Sequence, residues 1–329
     1  MNNRRKLLVV LGAGALAAPF AALAQQQGKV GRIGFLSPYP PGNNAWRFEA
    51  FKQQLRDLGH VEGKTFTIDY LSAEGKYDRL PALAAELVRR NVDIILADGG
   101  TPTTTAARNA ARTIPIVFTI LSDPVGQGFV ASLARPGGNI TGISNQHPET
   151  AVKSLALLKE VVPSAKRVAI LSNPTNSSLP LVIQDMQAAA RVLRLETTIV
   201  NAGAPAEFEK AFAEIARGRV DGLVILSDAM LLIESARLTT LAAKHRLPTM
   251  GGNNDIPESG GLMSYGANRL DMVRRAAVLV DKILKGAKPA DLPVEQPTKF
   301  DLVLNMRTAR DLGLKIPNSI LVQATKVIE

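Results

Sequence analysis

The sequence predicts an α/β protein made of two similar lobes, each a parallel sheet covered by helices. Apolar strand-like runs alternate with amphipathic helical patterns along the chain, which is typical of stacked βαβ units. The second half repeats features of the first half in the same order. The chain has 329 residues, a length that suits two domains of about 150 residues each.

The first half shows a regular succession of predicted elements. Its strands are predicted at residues 30–37, 65–71, 92–97 and 115–119. Its helices are predicted at residues 44–58 and 77–90, and a third helix ends at Ala111. Gly59 ends the first helix, because glycine readily adopts the left-handed conformation that closes a helix. Strands joined through helices pair in parallel, so these elements predict one parallel sheet.

The second half contains counterparts of five short segments, each roughly 130 residues further along the chain. The pairs are residues 32–37 with 167–172, 92–93 with 220–221, 114–115 with 247–248, 122–124 with 254–257, and 137–142 with 260–266. The shared order favours two similar lobes. The alternative is one large doubly wound sheet with accidental similarities.

Two such lobes predict a binding cleft, since open α/β sheets bind ligands at the carboxyl ends of their strands. Lobe I is predicted to comprise residues 25–145 and about 266–293. Lobe II is predicted to comprise residues 146–265 and about 294–329. The lobes would close by hinge motion, and the predicted crossings lie near residues 143–146, 264–268 and 292–299.

The amino-terminal segment predicts export. Basic residues 4–6 precede an apolar stretch at residues 7–23, and residues 22–24 form a small-x-small cleavage site. A secretory signal peptide cleaved after Ala24 is therefore expected. A membrane anchor is the weaker alternative, because glycines and Pro19 interrupt the stretch. The arginine pair also permits twin-arginine export.

Composition narrows the compartment and the partners. The chain has no cysteine, so disulfides and a lipid-anchored cysteine are excluded and a freely soluble periplasmic protein is expected. The net charge is +10, which raises the question of nucleic acid. The basic residues are scattered and aromatic residues make up 5%, so no nucleic-acid partner is expected.

The sequence offers little that points to catalysis. His60, His147 and His245 lack metal-ligand spacing, and neither a P-loop nor a nucleophile elbow occurs, so no metal and no cofactor are expected. Four aspartates follow predicted strands, namely Asp98, Asp123, Asp228 and Asp255. Such carboxylates could be acid and base catalysts, bind a ligand ammonium group or cap helices. Binding without catalysis is favoured, and an exported enzyme remains the alternative.

Four segments are long enough to compare with known protein families. They are "HVEGKTFTIDYLSAEGKYDRLPALAAELVRRNVDIILADGGTP", "TIPIVF", "SDPVGQGFVASLARPGGNITGIS" and "KGAKPADLPVEQPTKFDLVLNMRTARDLGLKIP". They resemble the tryptophan/tyrosine-type ABC transporter substrate-binding protein family. The resemblance covers about residues 30–328. It implies a type I periplasmic-binding-protein fold, with two Rossmann-like lobes joined by three hinge segments. It also implies delivery of a solute, such as an amino acid or an aromatic or carboxylated metabolite, to an ABC permease. A monomer is expected, and a ligand-sensing module for a membrane signalling protein is the alternative function.

Twelve residues at predicted strand ends are candidates for ligand binding. They are Ser37, Tyr39, Gly100, Thr101, Ser122, Asp123, Asn173, Thr175, Asn176, Asp228, Asn253 and Asp255. The Gly100 and Thr101 amides and the threonine hydroxyl begin a predicted helix and suit a ligand carboxylate. Asp228 or Asp255 suits an ammonium group. Asp123 could instead cap the helix that follows it.

Overall fold

The computed structural model describes residues 30–145 and 147–329, without the side chains of residues 43, 44, 147 and 148. The predicted signal peptide and its cleavage site lie outside the described residues. The helices of the described chain are all too short or too polar to span a bilayer.

The first lobe is built on a five-stranded parallel sheet with the order β2-β1-β3-β4-β5. The strands are β1 (Gly31–Ser37), β2 (Phe66–Ser72), β3 (Ile94–Ala97), β4 (Ile116–Leu121) and β5 (Ile140–Ser144). The helices are α1 (Pro41–Asp57), α2 (Leu80–Arg89) and α3 (Thr101–Ala110). Each helix has proline in its first turn, where the missing N–H costs no intrahelical hydrogen bond.

The second lobe is built on a seven-stranded sheet with the order β12-β11-β10-β9-β8-β6-β7. The strands are β6 (Arg167–Ser172), β7 (Glu196–Asn201), β8 (Gly222–Ile225), β9 (Thr249–Gly251), β10 (Met263–Ala267), β11 (Phe300–Asn305) and β12 (Lys326–Ile328). Only the β10–β11 pairing is antiparallel among the described pairs.

Nine helices follow in the described part of the chain after the first lobe's α3. They are α4 (His147–Val161), α5 (Leu179–Val192), α6 (Phe208–Arg217), α7 (Ala229–Ile233), α8 (Ser235–Lys244), α9 (Asp255–Glu258), α10 (Arg269–Leu284), α11 (Met306–Asp311) and α12 (Asn318–Gln323). All except α10 accompany the second sheet.

The predicted duplication is confirmed by the sheet topology. The order β7-β6-β8-β9-β10 in the second lobe repeats the order β2-β1-β3-β4-β5 in the first. In both lobes the second strand in sequence is an edge strand of its sheet, and the first strand lies between the second and the third. The alternative of a single doubly wound sheet is wrong, because the strands form two separate sheets.

The described chain passes between the lobes at three places. It leaves β5 to enter α4, which packs against β9 and β10. It returns through α10, which packs on α1 and on β3, β4 and β5 of the first lobe. The backbone of Glu295 pairs with β5 before the chain enters β11. The division into residue ranges proposed from the sequence stays a prediction, although Glu295 still hydrogen-bonds to the first lobe.

Each sheet has an apolar core on both faces. In the first lobe, Phe35 and Phe51 pack with α10 on one face, and Phe118 packs with α2 and α3 on the other. These cores fix the sheets and leave the carboxyl ends of the strands to face each other. The polar residues at those ends form the site.

Candidate functional site

The carboxyl ends of both sheets border one cavity between the lobes. Its volume is about 730 Å³, including the part open to solvent. Residues of both lobes contribute to its wall.

The structure brings seven of the twelve candidate residues to this cavity and places five elsewhere. The lining residues are Tyr39, Gly100, Thr101, Ser122, Asn176, Asp228 and Asn253. The residues outside the lining are Ser37, Asp123, Asn173, Thr175 and Asp255. Contacts between these twelve residues and a ligand remain predictions. The hydrogen bonds described below show which of their polar groups already have partners within the protein.

Asp228 is the most heavily hydrogen-bonded side chain of the cavity. It is 3% exposed and caps α7, because its Oδ1 accepts from the backbone N–H groups of Met230 and Leu231 at 2.9 and 3.1 Å. The amides of Asn173 and Asn176 donate to its two oxygens at 3.1 and 3.0 Å. Asp228 thus organises the second lobe's part of the wall. Asn173 acts through Asp228, since it does not line the cavity.

A hydrogen bond to Asp228 also links the two lobes. The hydroxyl of Tyr77, in the first lobe, donates to Oδ2 of Asp228 at 2.7 Å, and it accepts from the N–H of Ala229 at 3.1 Å. Burial, followed by the negative charge of Asp228, raises the pKa of Tyr77 well above its ordinary value. Tyr77 therefore stays protonated at neutral pH and keeps its donor role.

Apolar contacts lie beside this hydrogen bond. Tyr39 of the first lobe packs against Ala229 and Leu232 of the second, with Tyr77 and Ile233 next to them. Tyr39 is 7% exposed. The two lobes are in direct contact along one edge of the cavity, so the molecule is in a closed arrangement.

The amino terminus of α3 forms part of the cavity wall on the side of the first lobe. Gly99 and Gly100 have φ values of 100° and 96°, which glycine adopts without strain. A Cβ on Gly99 would overlap the ring of Pro38. No described side chain caps this helix. The hydroxyl of Thr101, expected to face a ligand, donates to Oε1 of Gln127 at 3.0 Å.

A buried ion pair supports the loop of residues 98–100, which leads into α3. Arg47 and Asp98 are both 0% exposed and are hydrogen-bonded to each other. The hydroxyl of Thr119 also donates to Asp98, at 2.7 Å, and the hydroxyl of Ser37 donates to it at 3.4 Å. Ser37 therefore belongs to the support of the Asp98–Gly100 loop and not to the cavity wall.

The remaining candidates have local partners. Oδ1 of Asp123 accepts from the N–H of Gly126 at 2.7 Å, in a turn where Asp123 has a φ of 63°. Asp123 therefore closes a turn and does not cap a helix, because no described helix lies between β4 and β5. The hydroxyl of Thr175 donates to Oδ1 of Asn173 at 2.8 Å. Oδ2 of Asp255 accepts from Nη1 of Arg269 at 2.6 Å, so the ammonium role expected for Asp255 competes with an ion pair.

Sequence reasoning missed Tyr77, Asn145 and Arg269, which all line the cavity. Asn145 follows β5, so the strand-end rule could have found it. Tyr77 precedes α2, and Arg269 begins α10 after the second crossing between the lobes. No local pattern marks those two positions as belonging to the cavity.

Trp46, on α1, is a large aromatic side chain that is partly open to solvent. Its side chain is 43% exposed, and the guanidinium carbon of Arg269 lies 5.4 Å from its ring centroid. Trp46 and Arg269 together line a second hollow, which shares Asn253, Ala267 and Arg269 with the cavity. Within the described part of the chain, acidic and histidine side chains form no group of three suited to a metal ion.

Comparison with known proteins agrees with this architecture. The chain is 26% identical over 267 residues to a tyrosine-binding protein of Clostridioides difficile, in a match that covers 81% of this chain and 76% of the relative. A crystal structure of a conserved domain protein from Vibrio cholerae has a TM-score of 0.85 at 27% identity, covering 91% of this chain and 100% of that one.

Two further structures share the fold. The ABC domain from Streptococcus pneumonia in complex with L-Trp has a TM-score of 0.83 at 23% identity, with 91% and 100% of the two chains covered. A ligand-free, open substrate-binding protein with adhesive properties from Clostridium difficile has a TM-score of 0.66 at 23% identity, with 91% and 99% covered. The family model for ABC transporter substrate binding proteins matches residues 44–328. The chain therefore belongs to the ABC transporter substrate binding protein family.

Proposed function

We propose that this protein is the solute receptor of an ABC importer and captures an aromatic amino acid, or a related carboxylated metabolite, between its lobes. The observation that carries the proposal is the cavity lined by both lobes and bordered by the Tyr77–Asp228 contact. A ligand that touches both halves favours the closed arrangement over the open one. The names of the relatives, which bind tyrosine and tryptophan, support the ligand class.

The proposal includes no chemical step. The carboxylate of Asp228 is held by four donors from its own lobe and by Tyr77, as a structural group would be. Asp98 is neutralised by Arg47, and Asp255 by Arg269. These pairings support binding without turnover, and they match a family of binding proteins.

Thermal unfolding against a ligand panel tests the capture step. The panel contains L-tyrosine, L-tryptophan, L-leucine, aromatic carboxylic acids and a purine. A ligand at 100 times its dissociation constant adds about 2.7 kcal/mol to the free energy of unfolding, so the melting temperature should rise for the aromatic amino acids. If no member of the panel raises it, the capture hypothesis fails.

The Thr101 loop is tested by a matched pair of variants. Thr101→Val removes the hydroxyl that holds Gln127, and we expect ligand affinity to fall about fivefold while stability changes little. Thr240→Val removes an exposed hydroxyl on α8 that donates to Ala236 and serves as the control. Unchanged affinity in Thr101→Val would remove this loop from the site.

Export and the permease partnership form the cellular part of the proposal. The predicted signal peptide supports a periplasmic location, and family membership supports a permease. Cell fractionation should recover the protein, shortened to begin near Gln25, in the periplasmic fraction as a monomer. Deleting its gene should abolish high-affinity uptake of the radiolabelled solute, and unchanged uptake would contradict the importer role.

A further inference from the structure

Two charged side chains line the cavity within the described residues, Asp228 and Arg269. They have opposite signs, so each would recognise a different end of an amino acid. Their existing partners decide which of them has donors or acceptors left for a ligand.

Asp228 has little capacity left. Five groups donate to its two oxygens, namely the hydroxyl of Tyr77, the amides of Asn173 and Asn176, and the backbone N–H groups of Met230 and Leu231. A carboxylate offers about four lone-pair positions. A ligand ammonium group could bind here only by displacing one of these donors, which would give up a bond already made.

Arg269 has capacity left. One of its N–H groups donates to Asp255 at 2.6 Å, and the guanidinium has about five N–H donors in all. Its other N–H groups make no hydrogen bond to any residue that the structure describes. The side chain is 16% exposed, so it is shielded from most of the solvent, and Arg269 lines the cavity.

The guanidinium of Arg269 is held in place and stays charged. Its central carbon lies 5.9 Å from the ring centroid of Tyr39 and 5.4 Å from that of Trp46, within the range of cation–π contact. Burial acts to lower the pKa of Arg269, but the charge of Asp255 and other neighbours raises it above the ordinary value. A preorganised guanidinium binds a planar carboxylate with two parallel hydrogen bonds.

The remainder of the lining suits an uncharged, apolar body. The apolar side chains of Ile120, Leu232 and Met272 line the cavity beside Tyr39. Oδ1 of Asn145 is buried and accepts no hydrogen bond from the described residues. It is a neutral acceptor, which would take an N–H or O–H donor without requiring a positive charge.

We propose that the cavity recognises its ligand through a carboxylate bound by Arg269, and that a ligand ammonium group is dispensable because no cavity carboxylate is available for it. The ligand class is then aromatic monocarboxylates, with the aromatic amino acids as one subset. This inference rests on the proposed function and specifies how the same cavity selects its ligand.

Isothermal titration calorimetry with truncated analogues tests the inference. The probes are L-tyrosine, tyramine, which lacks the carboxylate, and 3-(4-hydroxyphenyl)propionate, which lacks the ammonium group. The corresponding probes for L-tryptophan are tryptamine and 3-(indol-3-yl)propionate. We expect the amines to bind at least about 100-fold more weakly than the amino acid, and the propionates to bind within about tenfold of it.

Variants of α10 assign the carboxylate to Arg269. Arg269→Gln should weaken binding of the amino acid and the propionate at least about 30-fold. Arg269→Lys, which keeps the charge and the partner for Asp255, should have an intermediate effect. Arg275→Gln is the control, because Arg275 lies on the same helix and pairs with Glu295 away from the cavity. Melting temperatures confirm that each variant is folded.

The outcomes separate the two hypotheses. If the amine binds as tightly as the amino acid, or if the propionate loses about 100-fold in affinity, the inference fails and the proposed function stands. If Arg269→Lys and Arg269→Gln both bind like the unmodified protein, Arg269 is not the carboxylate partner. If neither the aromatic amino acids nor their analogues bind, the proposed function fails and the inference fails with it.

Discussion

The position of Asp228 in the sequence is compatible with two roles, which are binding a ligand and supporting the cavity wall. It follows β8, where open α/β sheets bind ligands, and this position made it a candidate for a ligand ammonium group. In the structure it caps α7 and holds Asn173, Asn176 and Tyr77. The same side chain type at the same strand end can therefore bind ligand or build the wall, and only its partners decide between these roles.

Replacing this carboxylate tests its structural role. Asp228→Asn puts an amide N–H group where the carboxylate faced only donors, so at least one donor is left without a partner. We expect the free energy of unfolding, measured by urea denaturation, to fall by about 1–3 kcal/mol. Asp123→Asn is the control, because Asp123 is exposed and its substitution should change stability by less than about 0.5 kcal/mol. Equal stability of the two variants would contradict the structural role.

Tyr77 and Arg269 line the cavity, but their place in it could not be predicted from the sequence. Tyr77 lies 151 residues before its partner Asp228, and Arg269 reaches the cavity only because α10 returns to the first lobe. Strand-end positions can be recognised from apolar runs and the glycines that follow them. Contacts between distant segments depend on how the lobes face each other, which no local pattern encodes.

At the scale of elements, the repeated half-chain was predictable and the end of the chain was not. β1, predicted at residues 30–37, forms over Gly31–Ser37, and β6 forms over Arg167–Ser172, the counterpart segment of the repeat. Strands β11 and β12 lie beyond the repeat and had no counterpart to indicate them. β11 also pairs antiparallel with β10, which an alternating βαβ pattern does not predict.

Strand β10 carries the second crossing and passes very close to the end of β9. A Cβ on Gly266 would overlap the carbonyl oxygen of Gly252, and both glycines line the cavity. Because backbone atoms cannot move aside as a flexible side chain can, Gly266→Ala must displace the wall. We expect at least about a tenfold loss of ligand affinity by calorimetry, together with a lower melting temperature.

The matched control for that variant is Gly138→Ala. A Cβ on Gly138 would meet no atom within 4 Å, and the φ of this residue lies outside the left-handed region. Its substitution should therefore leave both affinity and melting temperature nearly unchanged. Wild-type affinity in Gly266→Ala would show that the close approach of β9 and β10 does not shape the cavity.

At the scale of the whole molecule, acid should destabilise the fold in a narrow range of pH. The hydrogen bond from Arg32 lowers the pKa of Asp69. Burial acts to raise the pKa of Asp221. The hydrogen bonds from the backbone N–H groups of Lys166 and Arg167 act in the opposite direction, and the net shift of the pKa is downward. A carboxyl group with a lowered folded-state pKa stabilises the fold above its unfolded pKa and loses that contribution as pH falls through the folded value.

The unfolded pKa of an aspartate is about 3.9, so we expect these two groups to contribute fully from about pH 7 to pH 5 and to lose their contribution below about pH 4. Urea denaturation at a series of pH values measures this dependence. Asp69→Asn and Asp221→Asn should each reduce the slope of stability against pH below about pH 4. A slope unchanged in both variants would contradict the assignment.

Closure of the two lobes depends on a small set of contacts, and the Tyr77–Asp228 hydrogen bond is the one that deletion of a single atom can remove. Tyr77→Phe keeps the apolar contact with Tyr39 but deletes the hydroxyl that donates to Asp228 at 2.7 Å. A hydrogen bond to a charged group contributes about 1.5–3 kcal/mol, and closure is coupled to binding, so we expect ligand affinity, measured by calorimetry, to fall about tenfold.

Because Tyr77 also lines the cavity, a loss of affinity alone does not distinguish a lost ligand contact from weaker closure. Small-angle scattering of the ligand-free protein separates the two effects, since the radius of gyration of Tyr77→Phe should increase only if the bond holds the lobes together. Tyr265→Phe is the control, because the Tyr265 hydroxyl makes no hydrogen bond to the described residues. A ligand-free Tyr77→Phe protein as compact as the control would show that the Tyr77 hydroxyl does not hold the lobes together.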